Sequence, residues 1–192
     1  MNNPTVMDKT MRNGVNVDEL FGTIEAVKSA PVIAKFKFSA DNQWIEGGHN
    51  RTSIKNFYGT QQDHERKAPF VLDADEPPIL LGKDLGPNPV EYLLTALAAC
   101  VTSSIVYHAA ARGVTIRSMT SRLEGDIDLQ GFLGIREDVP RGYEAIRMYV
   151  NIDADCPPEK LSEIVQLGPN FSPVFDTITR PVPVTVELDN KK

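Results

Sequence analysis

The sequence is poor in the features that would fix its class at once. It holds only two cysteines, Cys100 and Cys156, which excludes a disulfide framework of the secreted type. The paired Cys and His spacings of a zinc site are missing too. No cationic run exceeds Arg66-Lys67 or the terminal Lys191-Lys192, and the net charge is -6. Phosphate backbones would find little to hold, so nucleic acid is not expected as a partner. The longest apolar stretch, Tyr92 to Ala111, is broken by Thr95, Thr102, Ser103, Ser104 and His108 and reads as a core helix, not a membrane span. Met1 to Asn16 shows neither a hydrophobic signal region nor an Arg-rich amphipathic pattern, so the expected location is the cytoplasm. His49 and His64 stand in separate loops without metal spacing. Asp73, Asp75 and Glu76 lack the Gly and the downstream ligand of a calcium loop, and Gly47-Gly48 lacks the Lys and the following helix of a phosphate loop. No metal or cofactor is expected.

What is present is an ordinary globular composition, 41% hydrophobic and 24% charged over 192 residues. That length accommodates one well-buried domain. The reading is an N-terminal tail and helix over residues 1–30 and one domain over 31–192. Asn16 can cap a helix from Val17 to Ser29 with an apolar stripe of Leu20, Phe21, Ile24 and Val27. Pro31 ends it, and Val32, Ala34, Phe36 and Phe38 then alternate with polar residues as a strand does. Trp44, Ile45 and Gly47-Gly48 mark a turn into a second strand near Arg51 to Tyr58. Two surface loops are expected, the polar Gly59 to Lys67 and the acidic stretch from Asp73 to Pro78.

Gly86-Pro-Asn-Pro89 starts a long helix, with Asn88 as cap, Pro89 at its first position and Gly113 as its stop. Val114 and Ile116 open a strand whose inward phase moves to Met119, Ser121, Leu123 and Ile127, as a β-bulge would require. Ile146, Met148, Val150 and Ile152 alternate in a further strand. A short helix, Pro157 to Leu167, buries Leu161, Ile164 and Val165, and Val182, Val184, Val186 and Leu188 form a last strand. This order implies an α+β fold, with helices on one face of a largely antiparallel sheet.

Within the long helix, Ala96, Ala99, Cys100 and Ser103 share a small-residue flank that another element can approach closely, and on that ground alone Cys100 is a small packed hydrophobe. The Gly-Pro-Asn-Pro turn followed by an Ala-rich helix with Cys about three turns in resembles the OsmC/Ohr family of osmotically inducible and organic hydroperoxide resistance proteins. The resemblance continues through Ser172-Pro-Val-Phe-Asp-Thr-Ile178 and Pro181-Val-Pro-Val184, and covers roughly Val32 to Leu188. It implies an intertwined homodimer with a long central helix wrapped by sheet. It also implies reduction of a small organic hydroperoxide by a pair of cysteines.

By the motif Cys100 is the first of that pair, attacking the peroxide oxygen as a thiolate. Burial in apolar surroundings raises a thiol's pKa above about 8.5, and the helix dipole fades within the first turn, so a cation has to counter the burial. The resemblance implies an arginine from an N-terminal strand, which makes Arg51 the candidate and Arg66 the second choice. An ordinary surface strand position is the other reading of Arg51.

Two family parts are missing. The second cysteine of a Cys-Pro pair corresponds here to Ser172-Pro173, which leaves Cys156 as the candidate resolving thiol, or else as an ordinary residue at a helix start. An external dithiol would then serve as reductant. The glutamate that orients the family arginine falls on Val90. Glu91 is its neighbour, but at about 100° per residue it lies on the helix face opposite Cys100, and it also suits the helix N-terminus electrostatically. Tyr107 and His108 lie further along the same helix, His108 as a proton carrier or as a residue satisfied at the helix end. The other reading of the whole chain is a non-peroxidatic relative, a binding or stress protein with Cys100 structural or reversibly modified.

Overall fold

The computed structural model describes residues 10–189. Its chain forms two compact units, Met1–Thr95 and Ala96–Lys192. Their boundary falls inside a continuous helix, so no linker composition marks it.

The first unit opens with a small hairpin, β1 (Met11–Arg12) and β2 (Val15–Asn16). It turns at Asn13-Gly14, both at positive φ (52° and 77°), the backbone an Asn-Gly hairpin turn requires. Helix α1 (Val17–Ser29) follows where predicted, with Asn16 Oδ1 accepting the N–H groups of Asp18 and Glu19. The strand predicted from Val32 shrinks to β3 (Lys37–Phe38), because Pro31 heads a 3-10 turn over Pro31–Ala34. Strands β4 (Asp41–Glu46), β5 (His49–Gly59) and β6 (Gln62–Ala74) are antiparallel, with β5 central between β6 on one side and β3 and β4 on the other.

The loop predicted over Gly59 to Lys67 is instead the β5–β6 hairpin. Its turn residues Thr60 and Gln61 both have positive φ (49° and 63°), a conformation usually signalled by Asn or Gly and here carried by residues that give no such signal. The acidic stretch also departs from the surface-loop expectation. Asp73 and Ala74 end β6, and Asp75 is 2% exposed.

Helix α2 (Pro89–Ala111) starts and ends as the sequence predicts, with Gly113 at φ 77°. In the second unit β7 (Ile116–Asp126) pairs antiparallel with β8 (Ala145–Ala154). The predicted bulge is present as a register shift between Ile116 and Ser118. The Gly- and Asp-rich connection contains one turn of helix, α3 (Leu129–Phe132), capped by Asp128.

Helix α4 (Pro158–Phe171) runs one turn beyond the predicted Leu167, through Gly168 and Pro169, and α5 (Pro173–Thr179) follows. The core of this unit is Leu97, Val101, Ile105 and Ala109 of α2, packed with Val114, Ala154, Ile164 and Leu167. Ile116, Met119, Leu123, Ile146, Met148, Val150 and Ile152 close over it from the strands. Gly168 lets α4 meet α2, since a Cβ there would stand 2.7 Å from Val101 Cγ1. The predicted last strand is not formed. Residues 181–189 carry no regular structure, and Val184, Val186 and Leu188 are 79%, 95% and 84% exposed.

The α+β class and the antiparallel pairing are as predicted. Each sheet lies within one unit.

Candidate functional site

In the first unit the chemistry gathers where β5 begins and β6 ends. Residues two apart on a strand share a face, so His49 and Arg51 lie together, and the register sets Arg51 directly opposite Asp73. The guanidinium closes on that carboxylate as a fork. Nε donates to Oδ1 at 2.9 Å and Nη2 to Oδ2 at 3.2 Å. His49 Nε2 lies 2.8 Å from the same Oδ1, with its side chain 11% exposed. An ionised carboxylate only accepts, so His49 Nε2 carries the proton of this bond. Asp73 is held below the ordinary carboxylate range, first by the bond from Arg51 and then by the bond from His49. Its main-chain carbonyl accepts the Tyr92 hydroxyl at 2.7 Å, which ties the first turn of α2 to the end of β6.

Asp75 organises the following loop. Burial pushes its carboxyl up, but the N–H groups of Glu76, Lys83 and Leu85, at 2.8, 3.0 and 3.3 Å, and the charge of His49 outweigh burial, and the net shift is downward. The loop folds so tightly that a Cβ on Gly86 would stand 2.2 Å from the Asp73 carbonyl. A crevice of about 80 Å³ remains between this loop and the Gly47-Gly48 turn, with His49, Asp75 and Lys83 on its walls.

The structure gives Glu91 a defined role. Asn88 Oδ1 accepts the Val90 N–H at 2.9 Å and the Asn88 N–H donates to Glu91 Oε2 at 2.8 Å, a reciprocal box at the start of α2. The Glu91 carboxylate is thus spent on the helix start, while Arg51 is oriented by Asp73. Arg66 donates to the Lys55 carbonyl at 2.7 Å and lies over the rings of Phe57 and Phe70. His64 stacks on Phe57, with Nε2 3.1 Å from the Gly59 carbonyl.

The second unit carries both thiols, Cys100 on α2 and Cys156 just before α4, each free and half-buried. Cys100 precedes the buried Val101, so its helix turn is fixed by core packing on one side. Cys156 packs against the hydrophobic core. Ser172 is 2% exposed, and its Oγ accepts the Phe175 N–H at 3.1 Å as the cap of α5. His108 stacks on Phe171 at 3.9 Å, and its Nδ1 lies 3.1 Å from Arg112 Nη1. Burial first, and the Arg112 charge second, lower its pKa, so it is a satisfied, neutral histidine. Tyr107 is half exposed.

Of the predicted site residues, the structure therefore joins Arg51 to His49 and Asp73, and puts Cys100 and Cys156 in the other unit. Sequence reasoning missed His49, Asp73 and Tyr92 as one constellation. Arg51 and Asp73 are 22 positions apart, and only the strand register brings them opposite.

A profile of the OsmC-like protein family matches residues 82–187. No curated protein matches the sequence. Solved structures share the fold. One is an OsmC-like protein from Mycoplasma pneumoniae, 19% identical, with a TM-score of 0.56 over 75% of this chain and 88% of that one. Another is an OsmC-like protein from Vibrio cholerae, 13% identical, TM-score 0.52, covering 73% and 92%. A third, from Legionella pneumophila, is described as an organic hydroperoxide resistance protein OsmC. It is 16% identical, with a TM-score of 0.53 over 75% and 90%.

Proposed function

This chain belongs to the OsmC-like protein family, and we propose that it is a thiol-dependent reductase of small organic hydroperoxides with Cys100 as its nucleophile. The observation that carries this reading is a free, half-buried Cys100 on the helix that the family match spans. In the reaction the Cys100 thiolate attacks the terminal oxygen of ROOH and the O–O bond breaks. A sulfenic acid forms on sulfur, and the alcohol leaves after taking up one proton. A dithiol then restores the enzyme. Its first thiolate forms a mixed disulfide as water departs, and its second displaces Cys100 as thiolate. Arg51 is the cation assigned to favour the thiolate and orient the peroxide, and Cys156 is the internal candidate for the resolving step.

A second copy completes the molecule in this reading. Among the described residues of the first unit, Ala74 is the only buried apolar side chain. A sheet and a helix that bury no large apolar side chain present an apolar surface suited to cover by another chain. The exposed strand-patterned segment from Val182 to Leu188 is a further element awaiting a neighbour. Both features support a homodimer; we assign it to the cytoplasm, with a soluble dithiol as reductant.

Two observations favour a second reading, a non-peroxidatic relative with Cys100 structural or reversibly modified. Ser172 is a helix cap and Glu91 is occupied at Asn88. Consumption of cumene hydroperoxide by the wild type and by Cys100→Ser, in dithiothreitol and separately in dihydrolipoamide, decides between them. The reductase reading requires turnover that disappears in the variant. Equal rates in the two proteins remove it.

A further inference from the structure

We infer that Asp73 and His49 are the positioning residues of Arg51, standing in for the helix carboxylate that this chain lacks; the inference rests on the reductase reading above. A guanidinium on a flexible stem that is half exposed loses rotamer freedom only if something fixes its plane. Here Asp73 takes Nε and one Nη2 proton in a bidentate fork, so three of the five N–H donors stay free for an anion, thiolate or peroxide oxygen. The fork is itself immobilised from three sides. Asp73 is locked into the β5–β6 ladder opposite Arg51, its Oδ1 is shared with the nearly buried His49, and its carbonyl is held by Tyr92 from α2.

The other charged groups near this face are engaged elsewhere. Glu46, opposite His49 on β4, pairs with Lys83, Asp75 is saturated by backbone N–H groups, and Glu91 holds Asn88. On β4 the residue opposite Arg51 is the neutral Gln43. Asp73 therefore directs the guanidinium at a cost in net charge, and its contribution is geometric.

That separation of geometry from charge gives the test a signature. The full-length protein is assayed for kcat and KM with cumene hydroperoxide and dithiothreitol. The pH midpoint of Cys100 alkylation by iodoacetamide is read by peptide mass spectrometry. Arg51→Met removes the charge and moves the alkylation midpoint to higher pH. Asp73→Asn leaves the charge but frees its carrier, so kcat falls at least tenfold while the midpoint stays or moves down, and Asp73→Glu recovers part of the loss. His49→Ala falls in the same direction as Asp73→Asn, and His49→Gln, which keeps an N–H for the carboxylate, recovers part of it. A merely structural role would lower thermal stability and shift no kcat independently of KM. If Asp73→Asn does not fold, the two His49 variants carry the test.

A kcat within twofold of wild type in Asp73→Asn and His49→Ala, with Arg51→Met disabled, overturns the positioning role and leaves the reductase reading intact. An active Cys100→Ser shows instead that the underlying reading has failed.

Discussion

Replacing Gly168 by alanine tests the packing that fixes the thiol-bearing helix. A Cβ at this position would lie 2.7 Å from Val101 Cγ1, 2.9 Å from Ile105 Cγ1 and 3.1 Å from Ile105 Cδ1. Carbon atoms in contact prefer about 3.5–4.0 Å, so the α2 side chains must retreat by up to roughly 1 Å. They have little room to do so. Val101 and Ile105 are 3% and 0% exposed, and β-branched residues in a helix keep one strongly preferred χ1. Overpacking of this kind costs about 1–3 kcal/mol, and the stiffness of both partners puts this site in the upper half of that range. The gain in helix propensity from Gly to Ala offsets roughly 1 kcal/mol.

The net expectation is a loss of about 1–2 kcal/mol, from the difference of those two effects, and a melting temperature lower by roughly 2–4 °C per kcal/mol for a chain of this size. Gly168→Val, with two further methyl groups, falls further. Differential scanning calorimetry measures the shift. A double-mutant cycle with Val101→Ala, which removes the nearest clashing atom, should return a coupling of at least about 0.5 kcal/mol. A raised melting temperature for Gly168→Ala, or zero coupling, would refute the close crossing of α2 and α4.

Two further outcomes follow from the hydrogen bonds. The carboxyls of Asp73 and Asp75 are held below their ordinary values in the folded chain. The stability they contribute is complete above the unfolded carboxyl pKa of about 4 and is lost as pH falls through the lower folded values. Urea midpoints should therefore drop from pH 5 towards pH 2, and Asp75→Asn should flatten that slope; an unchanged slope contradicts the assignment. Ser172→Ala leaves the Phe175 N–H without its cap at a buried helix start and should lose about 1–2 kcal/mol in thermal or urea unfolding. A neutral result would mean that Ser172 is not retained as a cap.

The parts of the fold that were legible are those written in local chemistry. Asn16 and Asn88 name their helix starts because a side-chain oxygen answers N–H groups two and three positions on. Gly113 names an end because only glycine adopts φ 77° without strain. The bulge in β7 could be read from a one-residue slip in hydrophobic phase, since a slip turns every later side chain to the other face. Other features had no local signature. Thr60-Gln61 forms a tight turn without turn residues, so a hairpin passed for a loop. Asn13-Gly14 carried the expected signature but fell inside a stretch read only as a polar tail. Helix α4 runs past the predicted end at Leu167 because Pro169 sits in its last turn, where a missing N–H removes only one bond. The candidate site followed the same division. Cys100 was marked by its motif and Arg51 by its strand, whereas Asp73 looked like a member of a solvated acidic run until β5 and β6 were in register.

The segment from Val182 to Leu188 shows where local chemistry stops being sufficient. Alternation of Val182, Val184, Val186 and Leu188 with Pro181, Pro183, Thr185 and Glu187 specifies a strand with one apolar face, but a strand exists only when a neighbour accepts its N–H and C=O groups. Pro181 and Pro183 withhold N–H groups on one edge, so any partner strand must bind the segment from the other edge or beyond Pro183. In the isolated chain these residues stay unpaired and their apolar side chains largely exposed. The same holds for the first unit, whose strands pair but where Ala74 is the only buried apolar side chain among the described residues. Strand pairing and side-chain burial are separate conditions, and the sequence pattern reports the requirement for both without saying what supplies the second. If the segment pairs in a homodimer, amides from Thr185 to Leu188 should show slow hydrogen exchange in the dimer that is lost on dilution to monomer. Fast exchange at every concentration would leave its strand periodicity without a partner and remove that support for the dimer.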